Sequence, residues 1–142
     1  MSRLIVWSLL VLLGENSVAT TIFGFPSIER RPDQQSVSLI QLIANPDAFD
    51  GKNLSVGGYL VISREYENSL LLDENADRHH MYANSVGVEF DGSSAKVQQK
   101  GKELHRHYVI IAGRFKAHDS VFGSGTLHDV YYIFPADDEV VK

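Results

Sequence analysis

The chain has 142 residues, 44% of them hydrophobic and 22% charged, enough for one domain whose core needs no covalent staples. Its net charge of −5 argues against sequence-independent binding to phosphate backbones or anionic membranes, which requires clustered Lys and Arg. It contains no cysteine, which excludes disulfides, thiol catalysis, thiolate metal sites and a lipid-modified cysteine anchor.

Arg3 is followed by the apolar run Leu4 to Leu13 and then by Ser17-Val18-Ala19, small residues at the two positions a signal peptidase reads. This pattern predicts a signal peptide over residues 1–19. A retained membrane helix is the less favoured alternative, because a bilayer needs roughly 20 apolar residues. The remainder keeps 12 basic and 17 acidic residues, so export leaves the charge at −5. An exported domain without cysteine fits a bacterial periplasm or exterior, with no stable membrane insertion once the signal is removed.

Residues 20–37 show neither helical nor strand period, carry Pro26 and Pro32, and read as an extended leader. Ser38 and Gln41 stand at capping-box spacing, and Leu39, Leu42 and Ile43 then fall on one helical side. Asn45-Pro46 stops that helix, and Pro46 to Phe49 can add one more turn before the turn signal Asp50-Gly51, with Phe49 plugging a barrel end.

The first strand is expected at 54–62, with Leu54, Val56, Leu60 and Ile62 on one face and Tyr59 and Val61 on the other. A second, short strand at 69–73 leads into a polar loop at 74–84, and a third at 85–90 places Val86, Val88 and Phe90 inward. A short helix follows from Ser94 to Lys100, closed by Gly101; strands at 108–115 and 126–134 complete the set. The first and fourth strands echo one another, with Leu54, Val56 and Gly58 in phase with Val109, Ile111 and Gly113. A glycine inside a strand marks a bend or close backbone approach, which suits a small closed barrel.

The fold class expected is therefore all-β with minor helices: a five-stranded Greek-key OB-fold barrel over 38–135, with an N-terminal helix and a short helix between the third and fourth strands. The competing arrangement is a sandwich or open meander of the same strands. Residues 136–142 form an acidic tail.

The entry pattern Ser38-Leu39 through Pro46, Phe49, Gly51-Lys52, Val56, Gly58, Tyr59 and Leu60, the strand ending Gly113-Arg114-Phe115, and the segment Gly123 to Val130 together resemble secreted bacterial OB-fold proteins, a periplasmic group related to tRNA-anticodon-binding-like domains. The resemblance implies this fold, this location and a binding role. The chain departs from an anticodon binder in lacking a basic face, which makes nucleic acid an unfavoured partner.

OB-folds bind across their second and third strands and through the loops after the first and fourth. That rule selects Arg64, Tyr66 and Asn68 in one loop and His118, Asp119 and Phe122 in the other, aromatics with polar neighbours that can stack a sugar, base or peptide ring. The plainer reading has Tyr66 and Phe122 shielding the barrel ends. His105 and His107 share a side if their segment is a strand, and with a carboxylate could form an N/O metal site; solvated loop histidines are the plainer account. Ser120 and Ser124 lie near His118, Asp119 and His128 but lack a nucleophile elbow or oxyanion signature. Phosphate-binding and dinucleotide glycine patterns are absent. The expectation is a non-catalytic, cofactor-free binding module for a small or extended ligand or an envelope protein. A metal-binding protein or metal-dependent hydrolase is the alternative, and an oligonucleotide binder the third.

Overall fold

A computed structural model describes residues 31–136. The expected signal peptide, the leader up to residue 30 and the tail from 137 lie outside the described residues.

The chain begins with a short strand β1, Gln35–Val37, and then the helix α1, Leu39–Ala44. Ser38 and Gln41 form the expected capping box: the Gln41 amide donates to Ser38 Oγ at 3.2 Å and the Ser38 amide donates to Gln41 Oε1 at 3.1 Å. Pro46–Phe49 adds a 3-10 turn. Five strands follow: β2 (Asn53–Val61), β3 (Asn68–Leu71), β4 (Ser85–Val88), β5 (His107–Ala117) and β6 (Gly125–Pro135). Between β3 and β4 lie the helix α2, Glu74–Arg78, and a 3-10 turn, Tyr82–Asn84; between β4 and β5 lies α3, Ala95–Glu103.

Pairing closes the sheet. β2 pairs antiparallel with β3, β3 with β4, β5 with β6 and β2 with β5, while β4 and β6 run parallel. A closed five-stranded barrel with this order and a helix after its third strand is the OB-fold arrangement expected above. The two echoing strands turn out to be antiparallel partners. Val56 faces Ile111 at the centre, Leu54 faces Gly113, and Gly58 faces Val109. Each glycine thus sits opposite an apolar residue of the other strand.

At Gly113 the reason is steric. Three residues of β6, Asp129 to Tyr131, lie opposite this one residue between the Ala112–Tyr132 and Arg114–His128 pairs. The bulge brings the His128 carbonyl to 2.6 Å of where a Cβ on Gly113 would stand. At Gly58 the same position is taken by the Leu70 side chain, also at 2.6 Å.

The barrel interior holds Leu54, Val56, Leu60, Leu70, Val86, Val88, Val109, Ile111, Phe115, Leu127, Val130 and Ile133. Leu39 and Leu42 of α1 and Leu104 after α3 pack into the same core, and Phe49 rests against it half-buried. A second, smaller core forms outside the barrel, where Tyr59, Val61 and Leu71 are covered by Ala76 of α2 and flanked by Tyr82 and Tyr108. The register partners Tyr59 and Tyr108 meet edge to face at 5.2 Å.

The end of the expected leader is a paired strand: β1 runs parallel with β2, Gln35 opposite Leu54 and Val37 opposite Val56, filling the edge of β2 that β3 does not reach. Asn53 Nδ2 donates to Asp33 at 2.6 Å, the Tyr131 hydroxyl donates to Gln34 at 2.6 Å, and the Arg31 guanidinium lies 4.0 Å from the Tyr131 ring centre. Residues 74–84 are not simply a loop, because Asp73 caps α2 through the Ala76 amide at 2.8 Å and Glu74 pairs with Arg78 one turn on. Nor does Gly101 end α3. It is buried inside the helix with the Phe90 ring on it, where a Cβ would meet Cζ at 2.7 Å.

Gly113→Ala is expected to cost about 1–3 kcal/mol, because the bulged backbone of β6 must move. Gly57→Ala, where the nearest atom would be 3.8 Å away, should stay within about 0.5 kcal/mol of the parent. Equal urea midpoints for the two variants would contradict this account of the bulge.

Candidate functional site

The face that OB-folds ordinarily offer to ligands is closed here by the chain itself. On the outer side of β3 and β4, Ser69, Leu71 and Ser85 are buried. Ser85 Oγ donates to the Tyr82 carbonyl at 2.6 Å, and the Ser85 carbonyl accepts the Ser124 amide at 3.0 Å. The β3–β4 connection and the β5–β6 loop therefore cover the centre of the face.

What stays open is a cleft of about 710 Å3 beside that cover. Its lining comes from four places: the end of β2 and the β2–β3 loop (Val61 to Glu67), α2 and the residues after it (Asp77, Arg78, His80, Tyr82), the α3–β5 turn (His105, Arg106) and Phe122 of the β5–β6 loop.

Local hydrogen bonds shape each wall. Ser63 Oγ accepts the Tyr66 amide at 2.9 Å and the Glu65 amide at 3.3 Å, while the Ser63 amide donates to Asn68 Oδ1 at 3.0 Å. These bonds turn the β2–β3 loop tightly and leave Tyr66 69% exposed. In the β5–β6 loop Ser120 Oγ accepts the Gly123 amide at 2.8 Å and the Phe122 amide at 3.3 Å. Glu67 joins the two loops: Oε2 accepts from Ser120 Oγ at 2.6 Å and from the Val121 amide at 3.2 Å, and Oε1 accepts from Thr126 Oγ1 at 3.1 Å.

Across the mouth runs a row of rings. Tyr66 meets Phe122 at 6.1 Å, Phe122 meets Tyr82 at 6.2 Å, and Tyr82 meets His80 at 6.1 Å. Tyr82 donates its hydroxyl to Asp77 Oδ1 at 3.1 Å. Burial first, and then that bond to Asp77, raise the Tyr82 pKa above the ordinary tyrosine value, so the phenol keeps its proton. The other Asp77 oxygen lies 3.4 Å from Arg106 Nε.

Of the six residues selected from sequence, Arg64, Tyr66 and Phe122 line this cleft together. Asn68 instead staples the loop base, donating Nδ2 to the Val88 carbonyl at 3.2 Å. His118 turns away, its Nε2 2.8 Å from Asp47 of the 3-10 turn. Asp119 also turns away, with Oδ2 2.6 Å from His128 Nε2 and Oδ1 3.3 Å from Lys116. The bonds from His128 and then Lys116 hold the Asp119 carboxyl below the usual carboxylate range. The other His128 ring nitrogen contacts Glu89.

The two histidines weighed as metal ligands have other partners. His105 Nδ1 accepts the Ile62 amide at 2.9 Å, and His107 Nδ1 lies 3.0 Å from the His105 carbonyl. Among the described residues no three of His, Cys, Asp and Glu gather as a metal ion would require. Sequence reasoning missed Glu67, Asp77, Arg78, His80, Tyr82 and Arg106. Only Asp77 and Arg78 had a local signal, the cap and the Glu74–Arg78 spacing that mark α2.

Replacing Glu67 with alanine should leave the Ser120 hydroxyl and the Val121 amide without their acceptor, while Thr126 keeps the Asp119 carbonyl at 2.7 Å, destabilising the fold by about 1–3 kcal/mol. Hydrogen exchange should show the Val121 and Gly123 amides losing protection before those of β5; unchanged protection in the loop would show that Glu67 does not hold it.

Comparison with the models of known protein families finds no match, and comparison with curated proteins finds none either. The functional reading accordingly rests on the geometry of the cleft.

Proposed function

We propose that the chain is an exported, non-catalytic binding module whose cleft between the β2–β3 loop, α2 and the β5–β6 loop takes a small ligand or the tip of an envelope protein partner. The observation that carries this reading is the row of rings from Tyr66 through Phe122 and Tyr82 to His80, assembled from three separate segments and left partly exposed at the mouth of the cleft. A contiguous aromatic rim around polar side chains is the surface that recognises flat molecules.

The engagement of the serines supports a binding role over catalysis. Ser120 Oγ serves the loop and Glu67, and among the described residues Ser124 Oγ donates to the Ser85 carbonyl at 3.5 Å. Export is supported by the sequence pattern of residues 1–19, and among the described residues no helix is long and apolar enough to cross a membrane.

The test is thermal unfolding of the protein against peptides, cell-wall saccharides, nucleotides and small organic acids, in the parent and in a Tyr66→Ala, Phe122→Ala double variant. A ligand at ~100 times its dissociation constant should add roughly 2.7 kcal/mol to the parent and much less to the variant. Equal shifts in both would place binding outside the cleft. For export, N-terminal sequencing of protein expressed in a bacterium should find a chain beginning after Ala19 in the periplasmic fraction; intact Met1 in the cytosol would remove that part of the proposal.

A further inference from the structure

We infer that the cleft selects a small ligand in which an oxyanion, carboxylate or phosphate, is joined to a flat ring: the anion meets Arg64, Arg106 and His105, and the ring lies on Tyr66 and Phe122. This rests on the cleft being the binding site and adds the chemical class of what it holds.

Most carboxylates of the lining already have partners within the protein. Glu67 accepts from Ser120, Val121 and Thr126. Asp77 faces the Tyr82 hydroxyl and Arg106 Nε, and its side chain is only 12% exposed. Of the carboxylates lining the cleft, Glu65 alone has no bond among the described residues, and it stands exposed in the loop. The acceptors of the cleft are thus largely taken up by the protein.

The donors are not. Arg64 makes no hydrogen bond or ion pair among the described residues and is exposed at the rim. Arg106 engages Asp77 through Nε, which leaves both terminal nitrogens of its fork available. His105 accepts the Ile62 amide on Nδ1, so its neutral ring carries the proton on Nε2, the remaining donor. Arg78 also lines the cleft but pairs with Glu74 on the surface of α2. A cleft rich in unengaged donors and poor in unengaged acceptors is complementary to an anion. Guanidinium forks match the two oxygens of a carboxylate or phosphate.

Arg106 is also held in place before any ligand arrives. Its backbone sits at φ 62°, in the left-handed region uncommon for a residue with a side chain, and its amide donates to the Leu60 carbonyl at 2.7 Å. The adjacent His105 is tied to Ile62. Two consecutive residues of the α3–β5 turn are therefore fixed to the end of β2, which lowers the ordering cost of binding. The net charge of −5 opposes a long polyanion, so the cleft suits a single charged group over a nucleic acid strand.

The experiment titrates the protein with three matched pairs, benzoate and benzamide, phenyl phosphate and phenol, glucuronate and glucose, following backbone amide resonances. The expected result is that at least one anion shifts amides in 62–67, 105–107 and 120–123, with its neutral partner at least about tenfold weaker. Arg64→Gln should weaken that anion about tenfold without changing the melting temperature, since Arg64 makes no hydrogen bond or ion pair among the described residues. Arg106→Gln should also weaken it, but can disturb Asp77, so Arg64→Gln decides. Preference for benzoate or phenyl phosphate would indicate an aromatic acid or ester, whereas preference for glucuronate, whose ring is not flat, would overturn the ring half of the inference. Neutral partners binding in the cleft as tightly as the anions would overturn the inference and leave the cleft as the site. Anions that shift only amides outside the cleft, with Arg64→Gln indifferent, would overturn both. Absence of any shift up to about 10 mM would overturn the anion inference.

Discussion

Closure of the barrel depends on the ladder between β2 and β5, which pairs Asn53 through Leu60 with Arg114 through His107 and brings Val56 against Ile111 at its middle. A sheet of strongly twisted strands leaves two edges unless its first and fourth strands can meet, and meeting requires the backbones to bend sharply and approach closely. Gly58 and Gly113 provide this at symmetric positions about the Val56–Ile111 pair, one giving way to Leu70 and the other to the bulge of β6. Once the ladder forms, every interior residue faces a common axis, and α1 and the end of α3 supply Leu39, Leu42 and Leu104 to the same core. The hydrophobic stabilisation of the domain follows from this one geometrical condition.

The location of the cleft is a consequence of how the barrel exterior is used. Tyr59, Val61 and Leu71 are apolar residues on the outer side, and α2 covers them. That packing carries the β3–β4 connection across the face where OB-folds usually bind, and displaces the open space toward the end of β2. There the β2–β3 loop, the α3–β5 turn and Phe122 converge. Asp77 belongs to both arrangements: it lies on the helix that covers the second core and it orients Tyr82 and Arg106 at the cleft.

Much of this architecture is written locally and could be read in advance. The Ser38–Gln41 box and the alternation through Leu54–Leu60 and Val109–Phe115 are signals within a few residues, and α1, β2 and β5 appear where those signals lie. What was illegible is nonlocal. Glu67 reads as one more charge in a polar loop, and only the folded chain brings Ser120 and Thr126 to it. His118 and Asp119 stand in the expected loop beside Phe122, yet the left-handed backbone at His118 and the pull of Asp47 and His128 direct them away from it. His105, singled out for its ring nitrogens, uses one of them to hold the Ile62 amide. Residue type and loop membership were readable; the direction of each side chain depends on partners that folding brings to it, 43 residues away for His105 and Ile62 and nine for Asp119 and His128.

The seam between β4 and β6 is the shortest in the barrel, with only Gly87–Thr126 and Val88–Leu127 in register. A ring of strands under thermal strain parts where its joint is thinnest, and here a single carboxylate, Glu67, lies against Gly87 and Thr126 at that joint while also reaching the Phe122 loop. The same few atoms that finish the cleft therefore act as the clasp of the barrel. Whatever draws the two loops together fastens the hoop, and whatever prises them apart begins to unroll it.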